Sequence, residues 1–411
     1  MGREQRSKRT VGVLNNVPFL FLWSGLMVSS VGDWINYIAM AALVYGRTHS
    51  VVMLTLLRLC HIVPILLVAP LAGVYVDRWS RQATLVLAPL VAGIAALGLV
   101  VYQAIWFVFV VYGAITIALT FFNPARAAIV PDIVEPVELV QANSLLQITS
   151  TSSIVVGGVL GGVLVSSVGY SAAFLINGIT FLFVALAACL LRPPASRHQR
   201  MRQSFGFDMR EGLAYLWKKP VVWVGVGSGA LFVLAEATVL TLGIAYVRTQ
   251  LHGDATLYGQ MLGGLGLGSV AGAFTIARYR HRVSLDLTFT LSGTVAGTGV
   301  FVLGQSRLAV LAACAYGVAG FGTMISTVSA VTLLQRIVPA HVRGRIFALA
   351  STLDHVAAFA STLAIGIATS ALSPGNIISG SGILAMGAGL VSIIVVLRFK
   401  NALHASTMAP A

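Results

Sequence analysis

The sequence predicts an all-α membrane protein: twelve transmembrane helices in two six-helix bundles related by a pseudo-two-fold axis. Three observations predict it. Of 411 residues, 57% are hydrophobic and 9% charged, whereas a soluble domain carries roughly 25% charged residues, and no water-soluble fold of this length hides so much apolar surface. Apolar runs of about 20 residues, the length that crosses a bilayer as a helix, recur along the chain. Basic residues gather in alternate connections between those runs.

The chain opens with a polar, basic segment, 1–16, carrying Arg3, Arg6, Lys8 and Arg9. The apolar run after it is longer than a signal-peptide core and has no small-residue cleavage site behind it, so it reads as an uncleaved first span. Predicted spans are 17–45, 51–75, 83–102, 104–123, 145–168 and 170–191, then 221–248, 256–277, 285–304, 306–334, 346–372 and 376–397. This divides the chain into a cytoplasmic segment 1–16, an N-terminal bundle 17–191, a linker 192–219, a C-terminal bundle 220–397 and a cytoplasmic tail 398–411. The linker begins with the helix stop Pro193-Pro194, then spaces Phe207, Leu213 and Trp217 among charges. That pattern reads as a short helix lying along the membrane surface; a plain basic linker is the alternative.

All 26 Lys and Arg residues except Arg47, Arg58, Arg248 and Arg307 fall at the termini or in connections on one side. The positive-inside rule puts that side, with both termini, in the cytoplasm, here of a bacterial plasma membrane. The net charge of +14 is mostly this topological signal. Nucleic-acid binding is excluded, because no basic cluster is interleaved with stacking aromatics. Cys60, Cys189 and Cys314 are far apart in apolar runs and read as small core residues. No His pair has metal-ligand spacing, so no metal or cofactor is expected. There is no phosphate-binding loop, which excludes ATP as the direct energy source. The loops offer no nucleophile, base or metal cluster for an enzyme.

An internal repeat supports the division into halves. Ile129-Val130-Pro131 and Ile337-Val338-Pro339 each open a segment between the fourth and fifth spans of a half, 208 residues apart. At the same offset Val134 matches Val342, Ala142 matches Ala350 and Leu145 matches Leu353. Such self-similarity is the mark of duplicated bundles.

Isolated charges inside spans are costly, at least ~2.5 kcal/mol at the bilayer centre, so each is a site hypothesis. Asp33 lies in the middle of span one and Glu236 in the middle of span seven, equivalent depths under the repeat. Each is a candidate proton carrier or contact for a cationic substrate; a hydrogen-bonded structural acid is the alternative. Arg58 in span two has two roles open to it: neutralising Asp33, or snorkelling outward. His61, one turn on, is a candidate relay or a packed structural histidine. Asp354 and His355 fall in span eleven, facing either the cavity or the cytoplasmic loop at 73–82. Trp34, Tyr37 and Phe232 are candidates to line a greasy cavity, or pack in core or lipid.

Twelve spans in two halves, with "GVYVDRWSRQ" after the second, resemble the major facilitator superfamily of secondary transporters. Gly73, Asp77, Arg78 and Arg81 fit its loop motif, while Ser80 stands where Gly is usual and Gln82 where a base is common. The resemblance implies a breakable latch at the cytoplasmic end of span two, with Asp77 accepting hydrogen bonds from a helix N-terminus near span eleven. The counterpart "GAFTIARYRHR" keeps Gly272 but lacks the acid. Span five holds "VVGGVLGGVL", in which Gly157, Gly158, Gly161 and Gly162 resemble the antiporter motif of family exporters, with Gly158 where Pro is typical. Span four lacks the membrane-embedded Arg of many family antiporters; Arg126 follows it, at the cytoplasmic mouth. Three segments, "LWSGLMVSSVGDWINYIAMAALVY", "FFNPARAAIVPDIVEPVELVQANSL" and "RIVPAHVRGRIFALAS", are similar to the branch of enterobactin exporters and macrolide-efflux proteins. The implied activity is export of amphipathic small molecules driven by inward proton flow, by a monomer embedded in membrane lipids. Import or lipid flipping on the same fold is the alternative.

Overall fold

The computed structural model describes residues 13–76, 79–135, 137–191, 220–279 and 285–407. A 3-10 turn, Val13–Asn15, leads into α1 (Val17–Thr48), followed by α2 (Val51–Val76), α3 (Arg81–Val101), α4 (Ile105–Ile133), α5 (Leu139–Ser167) and α6 (Tyr170–Leu190). The second set is α7 (Pro220–Thr249), α8 (Ala255–Tyr279), α9 (Leu285–Gln305), α10 (Ala309–Ile337), α11 (Ala340–Ala368) and α12 (Pro374–Thr407). The described residues contain no strand. Eleven of these helices are long and apolar enough to cross a membrane; α9 packs between α10 and α12 as the twelfth.

Helices α1–α6 form one group, with α1 on α5 and α6, α3 on α4 and α6, and α2 on α4. The second half repeats the scheme: α7 on α11 and α12, α9 on α10 and α12, α8 on α10. Two main seams join the halves, α5 against α8 and α2 against α11. The repeat reaches into the turns. His49 after α1 and His252 after α7 both adopt left-handed backbone, φ 48° and 52°; His is among the few non-glycine residues enriched there.

Lipid tails are as apolar as leucine, so membrane helices associate through close packing of small residues rather than through a hydrophobic drive. Helix α5 shows how. Gly157 and Gly161 face α1, where an added methyl would come within 2.6 Å of the Val31 carbonyl and 2.9 Å of Ile35 Cα. Gly158 and Gly162 face α8, where it would meet Leu262 Cβ at 3.0 Å and the Ala255 carbonyl at 2.5 Å. The doubled glycines therefore serve two neighbours at once.

The end of the bundle where α1 begins is called the near face, and the opposite end the far face. At the near face the first half is tied by polar contacts. Asn16 caps α1 by accepting from the Phe19 N–H at 3.1 Å, and its own amide donates to the Ile133 carbonyl at 2.6 Å. Arg81 pairs with Asp132 at 2.7 Å, and Gln82 donates to the Leu191 carbonyl at 2.5 Å.

Several helix ends differ from expectation. Helix α4 continues past 123, through Pro124 and Pro131, to Ile133. The continuation buries Ala125, Ile129 and Val130, and Asn16 and Arg81 hold its last turn. Helices α5 and α11 begin at Leu139 and Ala340, earlier than 145 and 346. Helix α12 runs to Thr407, into the stretch 398–411 expected to be a tail. The segment 1–12 and the linker 192–219, with its expected interfacial helix, lie outside the described residues.

Candidate transport site

Among the described residues, three of the cavities between the helices bear on transport. A vestibule of about 430 Å³ sits toward the near face, bounded by Leu26 and Ser30 of α1, Arg126 of α4, and Asn143, Gln147 and Ser150 of α5. A second cavity of about 190 Å³ shares Gln147 and Ser150 with it. Thr151 and Ile154 of α5 also line it, and its remaining walls come from the second half, among them Phe232, Ala235 and Glu236 of α7 and Tyr316 of α10. The vestibule thus leads to a pocket built by both halves. A third cavity, about 200 Å³, occupies the α2–α11 seam. Arg58, His61, Asp354 and His355 line it, with Val233, Glu236, Ala237 and Leu240 of α7. Glu236 alone lines both the second and the third.

Glu236 and Asp33 each stand 16 residues into their helices, α7 and α1, roughly 24 Å along the axis. Arg58 lies within Coulombic reach of Glu236, His61 and Tyr112. Its Nε is buried and unpartnered. His61 stacks on Tyr112 with ring centroids 5.4 Å apart, and its Nδ1 lies 3.2 Å from the Thr116 hydroxyl. His355 Nδ1 lies 2.7 Å from the Ser351 carbonyl. A carbonyl only accepts, so Nδ1 carries the proton and Nε2 is the atom left for the seam cavity. Tyr316, 1% exposed, presents an unpartnered hydroxyl in the wall of the second cavity.

The sequence-predicted residues are thus brought together in part. Arg58, His61, Asp354 and His355 meet Glu236 around the seam cavity. Asp33 does not join them. It follows Leu26 and Ser30 on one stripe of α1, a turn deeper than the vestibule, and lines none of the three cavities. Arg126 is in the vestibule wall. Of the loop motif, Gly73 lies in α2, Asp77 and Arg78 fall outside the described residues, and Arg81 is held by Asp132 of its own half. Phe232 lines the second cavity, while Trp34 stands edge-on to Tyr37 at 5.8 Å. Toward the far face the Tyr37 hydroxyl crosses between halves to the Leu240 carbonyl, which also accepts from Tyr258 at 3.3 Å. Ser166 and Thr256 hydroxyls meet at 2.7 Å.

Sequence reasoning missed Asp132, Gln147 and Tyr316. Asp132 carried a visible signal: it is an acid in the first "IVP" motif where the second copy has Ala340. Gln147 and Tyr316 carried none, since neither charge nor period marks them.

Twelve described helices in two repeated halves, closing on a pocket with one half-buried carboxylate, have the architecture of a transporter of the major facilitator superfamily. Within it, the chain belongs to the transmembrane secretion effector family, whose sequence profile matches residues 10–410. Macrolide efflux protein A of Streptococcus pyogenes is 23% identical over 409 residues, spanning 94% of this chain and 96% of that protein. The enterobactin exporter EntS of Escherichia coli O1:K1 is 24% identical over 345 residues, 79% of each chain. A crystal structure of a bacterial homologue of the human lysosomal transporter Spinster, inward-facing and unoccupied, shares the fold with a TM-score of 0.69 at 14% identity, covering 96% of this chain and 99% of that one. The chain is a multi-pass membrane transporter of small molecules, not an enzyme.

Proposed function

We propose that this transporter is a proton-coupled antiporter that exports amphipathic small molecules by alternating access. The observation that carries the reading is Glu236 in the wall of a pocket whose other walls come from both halves. Gln147 and Ser150 approach from α5, Glu236 and Tyr316 from α7 and α10. Rocking one half against the other pulls these groups apart, so affinity falls as the pocket opens to the far face. Phe232 and Leu265 offer apolar surface, and Glu236 offers a charge for a basic nitrogen. Protonating Glu236 removes that charge and releases the substrate. One elementary charge moved through 100 mV supplies ~2.3 kcal/mol, more than a tenfold gradient. The efflux function carried in the names of the macrolide and enterobactin relatives supports the export direction.

In this reading the near face, where the basic connections gather, is the cytoplasmic side of a bacterial plasma membrane, both termini lie there, and the chain acts as a monomer among lipids. The vestibule then faces the cytoplasm, and the Tyr37–Leu240–Tyr258 contacts are the closed outer gate. Asp33 is a second carboxylate at equal depth, reached when the outer gate opens. Gly73, Asp77 and Arg78 form, with Arg81 anchored on Asp132, the latch that shuts the near face in the outward-open state. Gly157, Gly158, Gly161 and Gly162 let α5 slide against its neighbours.

The test is transport in proteoliposomes under an imposed pH gradient, with a panel of macrolides, catecholate siderophores and amphipathic dyes. Wild type is expected to move at least one compound against its gradient, with a protonophore abolishing the movement. Accumulation that ignores the protonophore, or movement of lipid alone, overturns the reading.

A further inference from the structure

Helix α7 presents two different faces. Phe232 and Ala235 line the pocket shared with α5; Val233, Ala237 and Leu240 line the α2–α11 seam cavity. At about 100° per residue, Glu236 falls on the border between these two stripes, and it is the residue common to both cavities. The two spaces differ in chemistry. Apart from Glu236, the shared pocket holds hydroxyls, an amide and apolar groups. The seam cavity holds two histidines, an arginine and a second acid. A substrate needs the first kind of wall, and a proton needs the second.

We propose that protons reach Glu236 through the seam cavity, while substrate reaches it from the opposite side, so that one carboxylate is the partition between two separate routes. The inference rests on the reading of Glu236 as the proton carrier. Asp354 and His355 of α11, the latter with Nε2 free for the cavity, carry the proton in from water at the seam. The step is a proton transfer only: a seam group gives H⁺ to a Glu236 oxygen and is refilled from water, with no redox change. Arg58 is a positioning residue. From the wall of the cavity, with Nε unpartnered, it holds its charge beside Glu236 and His61. The other titratable groups around this point are Tyr37 of α1, Tyr258 of α8 and Tyr316 of α10, each within Coulombic reach of Arg58.

The experiment needs no substrate. Time-resolved infrared spectroscopy after a pH jump follows carboxyl protonation in the full-length protein in liposomes, the Glu236 band being assigned by its loss in Glu236→Gln. Ala358→Phe fills the seam cavity and Ala319→Phe fills the opposite pocket. Protonation of Glu236 is expected to slow about tenfold or more in Ala358→Phe and in Asp354→Asn, and to keep its rate in Ala319→Phe and in Tyr316→Phe, in line with the 10²–10⁴-fold reach of a positioned proton-transfer group. Slowing in Ala319→Phe, or none in Asp354→Asn, overturns the separate route. If Ala358→Phe does not fold, Asp354→Asn against Tyr316→Phe decides alone. A Glu236 band that titrates in no variant sinks the carrier reading itself, a result distinct from either.

Discussion

The contact between Gly158 and Gly259 and the contact between Thr55 and Gly366 are one contact met on the two sides of the repeat. Helices α2 and α8 begin at Val51 and Ala255, which pairs Thr55 with Gly259. The 208-residue offset of the "IVP" motifs pairs Gly158 with Gly366. In the α5–α8 seam two glycine backbones touch; in the α2–α11 seam a threonine side chain stands between the helices. The divergence grows toward the middle of the membrane. Arg58 and His61 occupy the places of Leu262 and Leu265, and Asp354 and His355 those of Leu146 and Gln147. One seam has kept apolar, backbone-to-backbone packing suited to a pivot. The other has taken up ionisable groups and the space to hydrate them. A duplicated fold lets its halves rock on one seam while chemistry is done at the other.

Glu236→Gln is expected to have the largest effect, because it removes the group where the two kinds of seam meet. Gradient-driven transport in proteoliposomes should fall about a hundredfold or more, while exchange of an uncharged substrate, which does not need the carboxylate's charge, survives without net proton flow. Equal loss of both activities would make Glu236 a substrate contact only, and the chemical seam would lose its purpose. Next comes Gly259→Thr, which copies the residue of the other seam. A side chain there runs into the Gly158 carbonyl, and overpacking of that kind costs about 1–3 kcal/mol. Thermal unfolding in detergent should drop by several degrees. The reverse change, Thr55→Gly, removes contacts without a clash and should cost less. If the two variants unfold alike, the seams are mechanically equivalent and the comparison breaks.

The sequence exposed much of this, for reasons that are themselves physical. Hydrocarbon selects for apolar length, so the spans were legible as runs, and the cost of burying charge made Glu236, Arg58 and Asp354 conspicuous. What stayed hidden was rotation. A helix apolar on every side carries no stripe to say which face looks inward, so depth suggested Asp33 as the partner of Arg58, whereas the structure turns Arg58 toward Glu236 and α11. Helix ends were hidden for a different reason. Pro131 and Asp132 read as a loop, yet the helix runs through them because Asn16 and Arg81, far away in the chain, hold its last turn.

Asp354→Asn should come third, lowering gradient-driven transport about tenfold with unchanged thermal stability, since its carboxylate lines a cavity rather than a packed contact. An effect on stability instead would make it part of the packing, as its counterpart Leu146 is.

The smallest effect is expected from Gly366→Ala, and it discriminates most finely. In a helix interior alanine is favoured over glycine by about 1 kcal/mol, so each seam glycine is retained against a standing preference. At Gly366 the added methyl meets only the Thr55 Cγ2 at 3.3 Å, a side-chain atom that turns aside by a few tenths of an ångström. At Gly158 it meets Leu262 Cβ at 3.0 Å and the Gly259 carbonyl oxygen at 3.3 Å, atoms that move only if the helices part. The helix preference should therefore survive at the first position and be offset at the second. Gly366→Ala is expected to unfold at or slightly above the wild-type temperature, and Gly158→Ala below it. A loss at Gly366 as large as at Gly158 would mean that the α2–α11 seam is also packed backbone to backbone in the ensemble, leaving no room for water to reach Arg58 and Asp354.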